Sequence, residues 1–97
     1  MDRMDQKYEL LGWTYPTKLK PSDYFRRNIW VVAEPEERTI GAVMDLLGED
    51  RVLWGSDFPH VDSNLEAPQL IRNSISNLSE ARQRKLLGEN ARVVFPA

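Results

Sequence analysis

A short segment near the middle of the chain holds the residue types with the clearest chemical potential. Asp57 comes directly after an apolar run, residues 51–55, and Ser56, and the single histidine of the chain, His60, follows shortly after it. The pattern predicts a buried strand that ends in a turn and carries a carboxylate to the edge of a sheet. Because ligands and catalytic groups of α/β proteins gather at the carboxyl ends of strands, this edge is the first candidate for a functional site.

The chemistry of this segment has more than one interpretation. The Asp57 carboxylate could bind a hard or borderline cation such as zinc or manganese, or it could accept a hydrogen bond within its own turn. His60 lies in a polar loop and is either a ligand or an exposed residue near the site. A closed zinc site takes three or four protein groups, so these two residues do not complete one. Ser56 lacks the second histidine that would make a catalytic triad convincing.

A further acid, Glu34, follows the other strongly apolar run, residues 28–33. If the two predicted strands are parallel, Glu34 and Asp57 lie at the same edge of the sheet, and Glu34 could be a functional neighbour. The alternative is that Glu34 caps a helix that begins at Pro35.

The periodicity of apolar residues predicts the elements that position these groups. The strands are residues 28–33 and 51–55. Between them, a helix begins at Pro35 and ends at Gly48, with its apolar face formed by Ile40, Val43, Met44 and Leu47. The other predicted elements are a helix over residues 1–11, a loop over 13–21, a helical turn capped by Ser22, a polar loop over 60–66, a helix opened by Pro68, a helix capped by Ser79 and closed by Gly88, and a last turn over 89–95.

The order strand, helix, strand with short connections predicts a crossover between parallel strands. Both strands are apolar enough to be buried on both faces. A sheet of two strands is marginal in water, and unpaired edges invite pairing with another chain. The sequence therefore predicts a single α/β segment over residues 1–97, a β-α-β-α unit that is incomplete on its own.

Composition narrows the classes of function. The 97 residues carry a net charge of −2 and contain no cysteine, which excludes disulfides and thiolate chemistry and fits a reducing, cytoplasmic setting. The densest basic group, Arg82, Arg84 and Lys85, is flanked by Glu80 and Glu89 and is predicted to be a solvated face, not a nucleic-acid surface. No apolar run approaches the roughly 18 residues of a membrane span, so we expect neither nucleic acid nor a membrane as partner.

Three separated motifs stand out, at residues 21–28 (PSDYFRRN), 50–60 (DRVLWGSDFPH) and 86–91 (LLGENA). Together and in this order they resemble the C-terminal part of the amidohydrolase-related family, which comprises metal-dependent hydrolases and decarboxylases with a TIM-barrel fold. The similarity runs from about Pro21 to Phe95, and residues 1–20 match only loosely.

The resemblance implies that residues 28–33 and 51–56 are the seventh and eighth strands of a (β/α)8 barrel. Asp57 would then be the family's aspartate beside a divalent metal, usually zinc, as a metal ligand or as proton acceptor for metal-bound water. His60, Ser56 and Glu34 would lie around it as substrate contacts or supporting residues. The histidine-rich strands that supply the family's other ligands do not occur in this sequence.

These observations predict the C-terminal quarter of a metal-dependent amidohydrolase or decarboxylase that acts on a small carboxylic or cyclic substrate. We expect this chain alone to bind zinc weakly or not at all and to catalyse no reaction. Its expected partners are the missing portion of the barrel or further copies of the chain. The alternative is a non-catalytic α/β assembly module that completes its sheet by oligomerisation.

Overall fold

The computed structural model of the protein describes residues 1–14, 16–60 and 65–96. Its helices are α1 (Asp2–Leu11), α2 (Pro21–Asn28), α3 (Ile40–Leu47), α4 (Ala67–Ser74), α5 (Glu80–Arg84) and α6 (Asn90–Val94), and its strands are β1 (Val31–Ala33) and β2 (Val52–Trp54). A 3-10 turn, Gly12–Thr14, follows α1, and a π-helical segment, Lys85–Glu89, joins α5 to α6. The predicted loop over 60–66 lies partly outside the described residues.

β1 and β2 form a two-stranded parallel sheet, with α3 between them along the chain. The paired residues are Val31 with Val52, Val32 with Leu53, and Ala33 with Trp54. The predicted β-α-β order and the parallel pairing are confirmed. Both strands are shorter than predicted, because α2 continues to Asn28 and the hydrogen bonds that join the strands begin only at Val31.

The two strands differ in how far they are buried. In β2, Val52 is fully buried and Leu53 is only 6% exposed, so burial on both faces is confirmed there. In β1 that prediction is wrong, because Val32 is 67% exposed. Successive side chains of a strand point to opposite faces. The helices cover the face that carries Val31 and Ala33, and Val32 lies on the other one.

One apolar core joins the sheet to the helices. Its buried members are Ala33, Ile40, Met44, Val52, Ile71, Ile75 and Leu86. Full burial of a large apolar side chain contributes about 1.5–3 kcal/mol, so this cluster is the main favourable term that holds the strands in place. The core thereby fixes the strand ends at which the candidate site lies.

The prediction that Ser22 caps α2 is wrong. The helix begins at Pro21, a residue suited to the first helical position, and Lys20 is its N-cap. Ser22 is buried, and its backbone N–H donates to Asp5 Oδ1 at 2.8 Å. Hydrogen bonds from Ser22 hold the pKa of Asp5 below its ordinary value. A carboxylate from α1 therefore serves the first turn of α2 in place of a capping side chain.

Pro35 does not begin α3, because residues 34–37 close a turn of their own. Glu37 N–H donates to Glu34 O, and Glu34 N–H donates to Glu37 Oε2, each at 3.2 Å. The helix starts at Ile40 with Thr39 as its N-cap, so the capping role considered for Glu34 is wrong. The reciprocal bonds of the turn satisfy backbone groups that a helix starting at Pro35 would have left open.

At the other boundaries, the predictions for Gly48 and Ser79 are confirmed. Gly48 ends α3 with φ of 105°, and Ser79 caps α5 by accepting a hydrogen bond from Arg82 N–H at 3.3 Å. Gly88 does not end its helix, since the chain continues through the π-helical segment into α6. Leu86 and Asn90 are buried on either side of Gly88, and this packing overrides the low helix propensity of glycine.

Two of the basic residues that were predicted to form a solvated face are partly buried and form ion pairs with acidic side chains. Arg82 lies 2.6 Å from Asp45 and 3.0 Å from Glu49, and Lys85 lies 2.6 Å from Glu49 and 2.9 Å from Asp50. The Arg82 and Lys85 side chains are each only 26% exposed. The prediction is therefore wrong for these two residues. The ion cluster ties the C-terminal helices to the turn between α3 and β2.

Asn90 anchors the start of β2. It is 3% exposed, and its Nδ2 donates to the carbonyl oxygens of Glu49 and Val52, each at 2.8 Å. The cross-strand bonds use Arg51 O and Gly55 N–H, so the Val52 carbonyl faces away from β1. Among the described residues, no strand pairs with β2 on that side, and Asn90 donates to the Val52 carbonyl instead.

α1 lies at one end of an elongated molecule. The radius of gyration is 16.0 Å, compared with about 12.5 Å for a compact chain of this length. α1 contains no buried residue and contacts α2. Among the described residues, no helix is long and apolar enough to cross a membrane.

We predict that Asn90→Ala lowers the free energy of unfolding by about 2–3 kcal/mol, because it leaves two carbonyl oxygens without a donor. Urea denaturation followed by tryptophan fluorescence measures the change. Asn77→Ala is the matched control, since Asn77 is exposed, and its effect should stay within about 0.5 kcal/mol. Equal stability of the two variants would contradict the anchoring role of Asn90.

The ion cluster predicts a contribution to stability that acid removes. Lys85 and Arg82 hold the pKa of Glu49 below its ordinary value, so the folded chain takes up this proton less readily than the unfolded chain. The contribution is present above the ordinary glutamate pKa, about 4.3, and is lost as the pH falls through the lowered pKa of the folded state. The midpoint of thermal unfolding should therefore fall more steeply with acidification below about pH 4.5 for the wild type than for Glu49→Gln. Parallel curves would show that Glu49 contributes nothing.

Candidate functional site

The carboxyl ends of β1 and β2 border a cleft of about 120 Å³. The residues that line it are Glu34, Pro35, Glu36, Gly55, Ser56, Asp57 and Leu70. The parallel pairing of the strands is what places Glu34 and Asp57 at the same end of the sheet. The structure thus brings together Glu34, Ser56 and Asp57, whose chemical roles remain predictions.

Asp57 lies in a left-handed backbone conformation, with φ of 58°. Two hydrogen bonds surround it: Phe58 N–H donates to Ser56 Oγ at 3.3 Å, and His60 N–H donates to Asp57 O at 2.9 Å. The Asp57 carboxylate forms no hydrogen bond with any described residue. The turn-bonding role considered for the Asp57 side chain belongs instead to the hydroxyl of Ser56.

Gly55 allows the end of β2 to lie close to β1. A Cβ atom at this position would lie 3.3 Å from Val32 Cγ1, which is tighter than ordinary van der Waals contact. A side chain at this position would therefore require the Val32 side chain to shift by a few tenths of an ångström. Sequence reasoning missed this requirement, because only the neighbouring strand reveals it.

Glu36 and Leu70 also line the cleft without having been predicted as site residues. Glu36 is brought there by the turn over residues 34–37, which the predicted helix from Pro35 concealed. Leu70 belongs to α4, and its spacing in the sequence gives no signal of this position. The described lining therefore holds three carboxylates, those of Glu34, Glu36 and Asp57, and no basic side chain. Such a cleft favours cations and protons over anions.

His60 is exposed and does not line the cleft. In the part of the chain that the structure describes, no three His, Cys, Asp or Glu side chains are grouped so that they could hold a metal ion. Because a protein metal centre usually takes at least three such ligands, Asp57 and its neighbours do not fit a complete one. A metal bound through Asp57 would need ligands from elsewhere.

A larger groove, of about 480 Å³, lies between α1 and residues 17–21. Its lining residues are Arg3, Met4, Lys7, Tyr8, Thr17 and Pro21. None of the predicted site residues borders it, and it lies away from the strand ends. The candidate site therefore stays at the smaller cleft beside Asp57.

Comparison with known proteins extends this description. A sequence model of the Amidohydrolase family matches residues 11–97. The gamma-resorcylate decarboxylase of Polaromonas sp. (strain JS666 / ATCC BAA-500) is 33% identical over 100 residues, which cover 98% of this chain and 29% of that protein.

Two solved structures are also similar. An amidohydrolase from Mycobacterium avium subsp. paratuberculosis K-10 has a TM-score of 0.81 at 24% identity, covering 99% of this chain and 24% of that one, and this likeness shows the fold alone. A dihydroxybenzoic acid decarboxylase from Polaromonas sp. JS666, solved with bound manganese and the inhibitor 2-nitroresorcinol, has a TM-score of 0.74 at 28% identity, covering 98% of this chain and 29% of that one.

This chain thus spans between 24% and 29% of the length of the proteins that it matches. The family match includes both strands, the cleft and Asp57. Since it extends over residues 11–97, the chain belongs to the amidohydrolase family.

Proposed function

We propose that this chain is the C-terminal part of a metal-dependent decarboxylase that removes CO2 from an aromatic carboxylic acid. One observation carries the proposal: the Asp57 carboxylate, free of bonds to described residues, lies at a strand end in a segment that is 33% identical to a gamma-resorcylate decarboxylase. Enzymes of this architecture place their catalytic groups at the carboxyl ends of the strands.

The substrate class is inferred from two of the matched proteins. One is named for gamma-resorcylate, and the other for dihydroxybenzoic acid, with 2-nitroresorcinol as its inhibitor. We infer that the complete enzyme acts on a hydroxylated aromatic acid, a member of the small carboxylic or cyclic compounds that the sequence predicts. Hydrolysis, the other reaction expected of the family, has less support because both of these relatives are named as decarboxylases.

The proposed reaction gives Asp57 a defined task. Decarboxylation breaks the bond between the ring carbon and the carboxylate, releases CO2 and leaves an electron pair on the ring carbon, which must take up a proton. A carboxyl group within hydrogen-bond reach can hold and deliver such a proton. We propose that Asp57 does so at an Oδ atom, with Ser56, Glu34 and His60 as supporting residues or substrate contacts.

The proposed cofactor is a divalent metal ion, and the resemblance predicts zinc. The structure of the Polaromonas dihydroxybenzoic acid decarboxylase contains manganese. In this chain the described residues do not fit a complete metal centre, so we propose only that Asp57 contributes one oxygen ligand beside ligands from other polypeptide.

We further propose that β1 and β2 are the seventh and eighth strands of a (β/α)8 barrel whose other strands are supplied by additional polypeptide. The exposed Val32 side chain, on the uncovered face of β1, supports this proposal. So does the share of the relatives' length, 24–29%, that the chain covers. The chain alone is then expected to be inactive.

A second candidate function rests on exposed apolar side chains. Val32 and Phe58 are each 67% exposed, and a non-catalytic module could cover such side chains by pairing with further copies of itself. Light scattering distinguishes this alternative, because it requires a stable oligomer at micromolar concentration. A stable monomer would argue against it.

We predict that co-expression of this chain with the remaining part of the Polaromonas gamma-resorcylate decarboxylase yields a complex that releases CO2 from gamma-resorcylate when manganese is supplied. In this complex, Asp57→Asn should lower turnover by about 100-fold or more, because an amide cannot carry the proton. Asp2→Asn, a change of an exposed acid on α1, is the matched control and should leave turnover unchanged.

Two outcomes would contradict the proposal. If the complex forms and Asp57→Asn retains full turnover, Asp57 is not the proton carrier. If the chain does not associate with the remaining part of the relative, residues 1–97 do not act as the corresponding quarter of that enzyme. Co-purification through a tag on one polypeptide reports association independently of activity.

A further inference from the structure

We propose that Ser56 is a positioning residue, whose hydroxyl holds Asp57 in its left-handed conformation and so keeps the Asp57 carboxylate available to the site. The inference rests on the proposed role of Asp57. In addition to that role, the Ser56 hydroxyl is the group that maintains the geometry of the carboxylate.

The backbone of Asp57 requires such support. Its φ of 58° lies in the left-handed region, which costs conformational free energy for residues other than glycine, although less for aspartate than for most. Residues persist in this region only where their surroundings hold them there. The bonds that close the turn on either side of Asp57 are therefore what its conformation depends on.

Only one of these bonds involves a side chain. His60 N–H donates to the Asp57 carbonyl at 2.9 Å, a bond between backbone groups. Phe58 N–H donates to Ser56 Oγ at 3.3 Å, so this bond requires a hydroxyl at residue 56. Ser56 is half-buried and lines the cleft beside Asp57.

The residue after Phe58 explains why the Asp57 carboxylate stays free. An aspartate in a turn commonly accepts a hydrogen bond from the backbone N–H two residues further on. For Asp57 that residue is Pro59, which has no N–H. Ser56 Oγ accepts the equivalent bond, from Phe58 N–H. Because Pro59 has no N–H, the Asp57 carboxylate lacks the donor to which it would otherwise bond. The pair thus fixes the turn without using the carboxylate.

The first test uses the chain alone and NMR spectroscopy. Ser56→Ala should speed hydrogen exchange at the Phe58 amide by about fivefold to tenfold, the effect of one lost hydrogen bond, and should shift the three-bond couplings of Asp57 away from left-handed values. Ser56→Thr keeps the hydroxyl and should restore both. Ser76→Ala is the matched control, since Ser76 is exposed and its hydroxyl donates to Asn73 O at 3.0 Å, away from the cleft.

A second variant keeps the test decisive if Ser56→Ala folds poorly. The double variant Ser56→Ala/Asp57→Gly should fold well, because glycine adopts positive φ without strain. Recovery of folding by this double variant supports a defect located at the Asp57 backbone. An Asp57 conformation and a Phe58 exchange rate that do not change in Ser56→Ala would overturn the proposal.

The kinetic test uses the co-expressed complex with gamma-resorcylate and manganese. Ser56→Ala should lower kcat by about tenfold with KM unchanged, because misplacement of Asp57 weakens the transition state and not substrate binding. Ser56→Thr should recover most of kcat. Equal losses in the Ala and Thr variants would overturn the positioning role. An inactive wild-type complex would count against the proposed function alone, since the NMR result decides the role of Ser56 separately.

Discussion

The parallel pairing of β1 with β2 is the constraint on which the rest of this structure depends. It sets Glu34 and Asp57 at the same end of the sheet, where both line the cleft, although they are far apart in sequence. The apolar core presses one face of the pair against the helices. At the opposite end, Asn90 and the ion cluster around Glu49 hold the start of β2. β2 is thereby anchored where it begins, and the candidate site lies where it ends.

The two faces of the sheet are covered unevenly: the helices pack on the face of Val31 and Ala33, whereas on the other face Leu53 is buried and its neighbour Val32 is exposed. This asymmetry links the fold to the proposed function. Val32 is 67% exposed, and the described cleft offers carboxylates without the further ligands of a metal centre. Both features are expected of one wall of a larger site. The same two features are the reason for the proposal that the strand-end carboxylate of Asp57 needs other polypeptide to form an active site.

Much of the fold could be predicted from the sequence, because the β-α-β order is encoded in local patterns. The apolar runs around Val31 and Val52 and the helical spacing of Ile40 and Met44 act over a few residues each. Boundaries that depend on distant partners could not be predicted in this way. Ser22 is served by Asp5 from another helix, and Gly88 stays helical because its neighbours are buried.

In the candidate site, too, the features set by local sequence could be predicted and those set by distant partners could not. Asp57 and Glu34 could be identified because strand ends have recognisable sequence signals. Glu36 was not predicted to line the cleft, because Pro35 was wrongly assigned as the start of a helix. The role of Gly55 depends on its contact with Val32 of the neighbouring strand, which the sequence does not show. The exposure of Val32 was missed because an apolar run indicates that a strand prefers burial, not that a partner is present to cover it.

Metal binding by the chain alone tests most directly whether the strand-end cleft is one wall of a site completed by other polypeptide. Isothermal titration of zinc and of manganese into residues 1–97 measures it, with Asp57→Asn as the comparison. If the other ligands come from elsewhere, neither metal binds at one equivalent with low-micromolar affinity. Stoichiometric binding of that strength, lost in Asp57→Asn, would show that this chain holds a complete metal centre and would contradict the proposal.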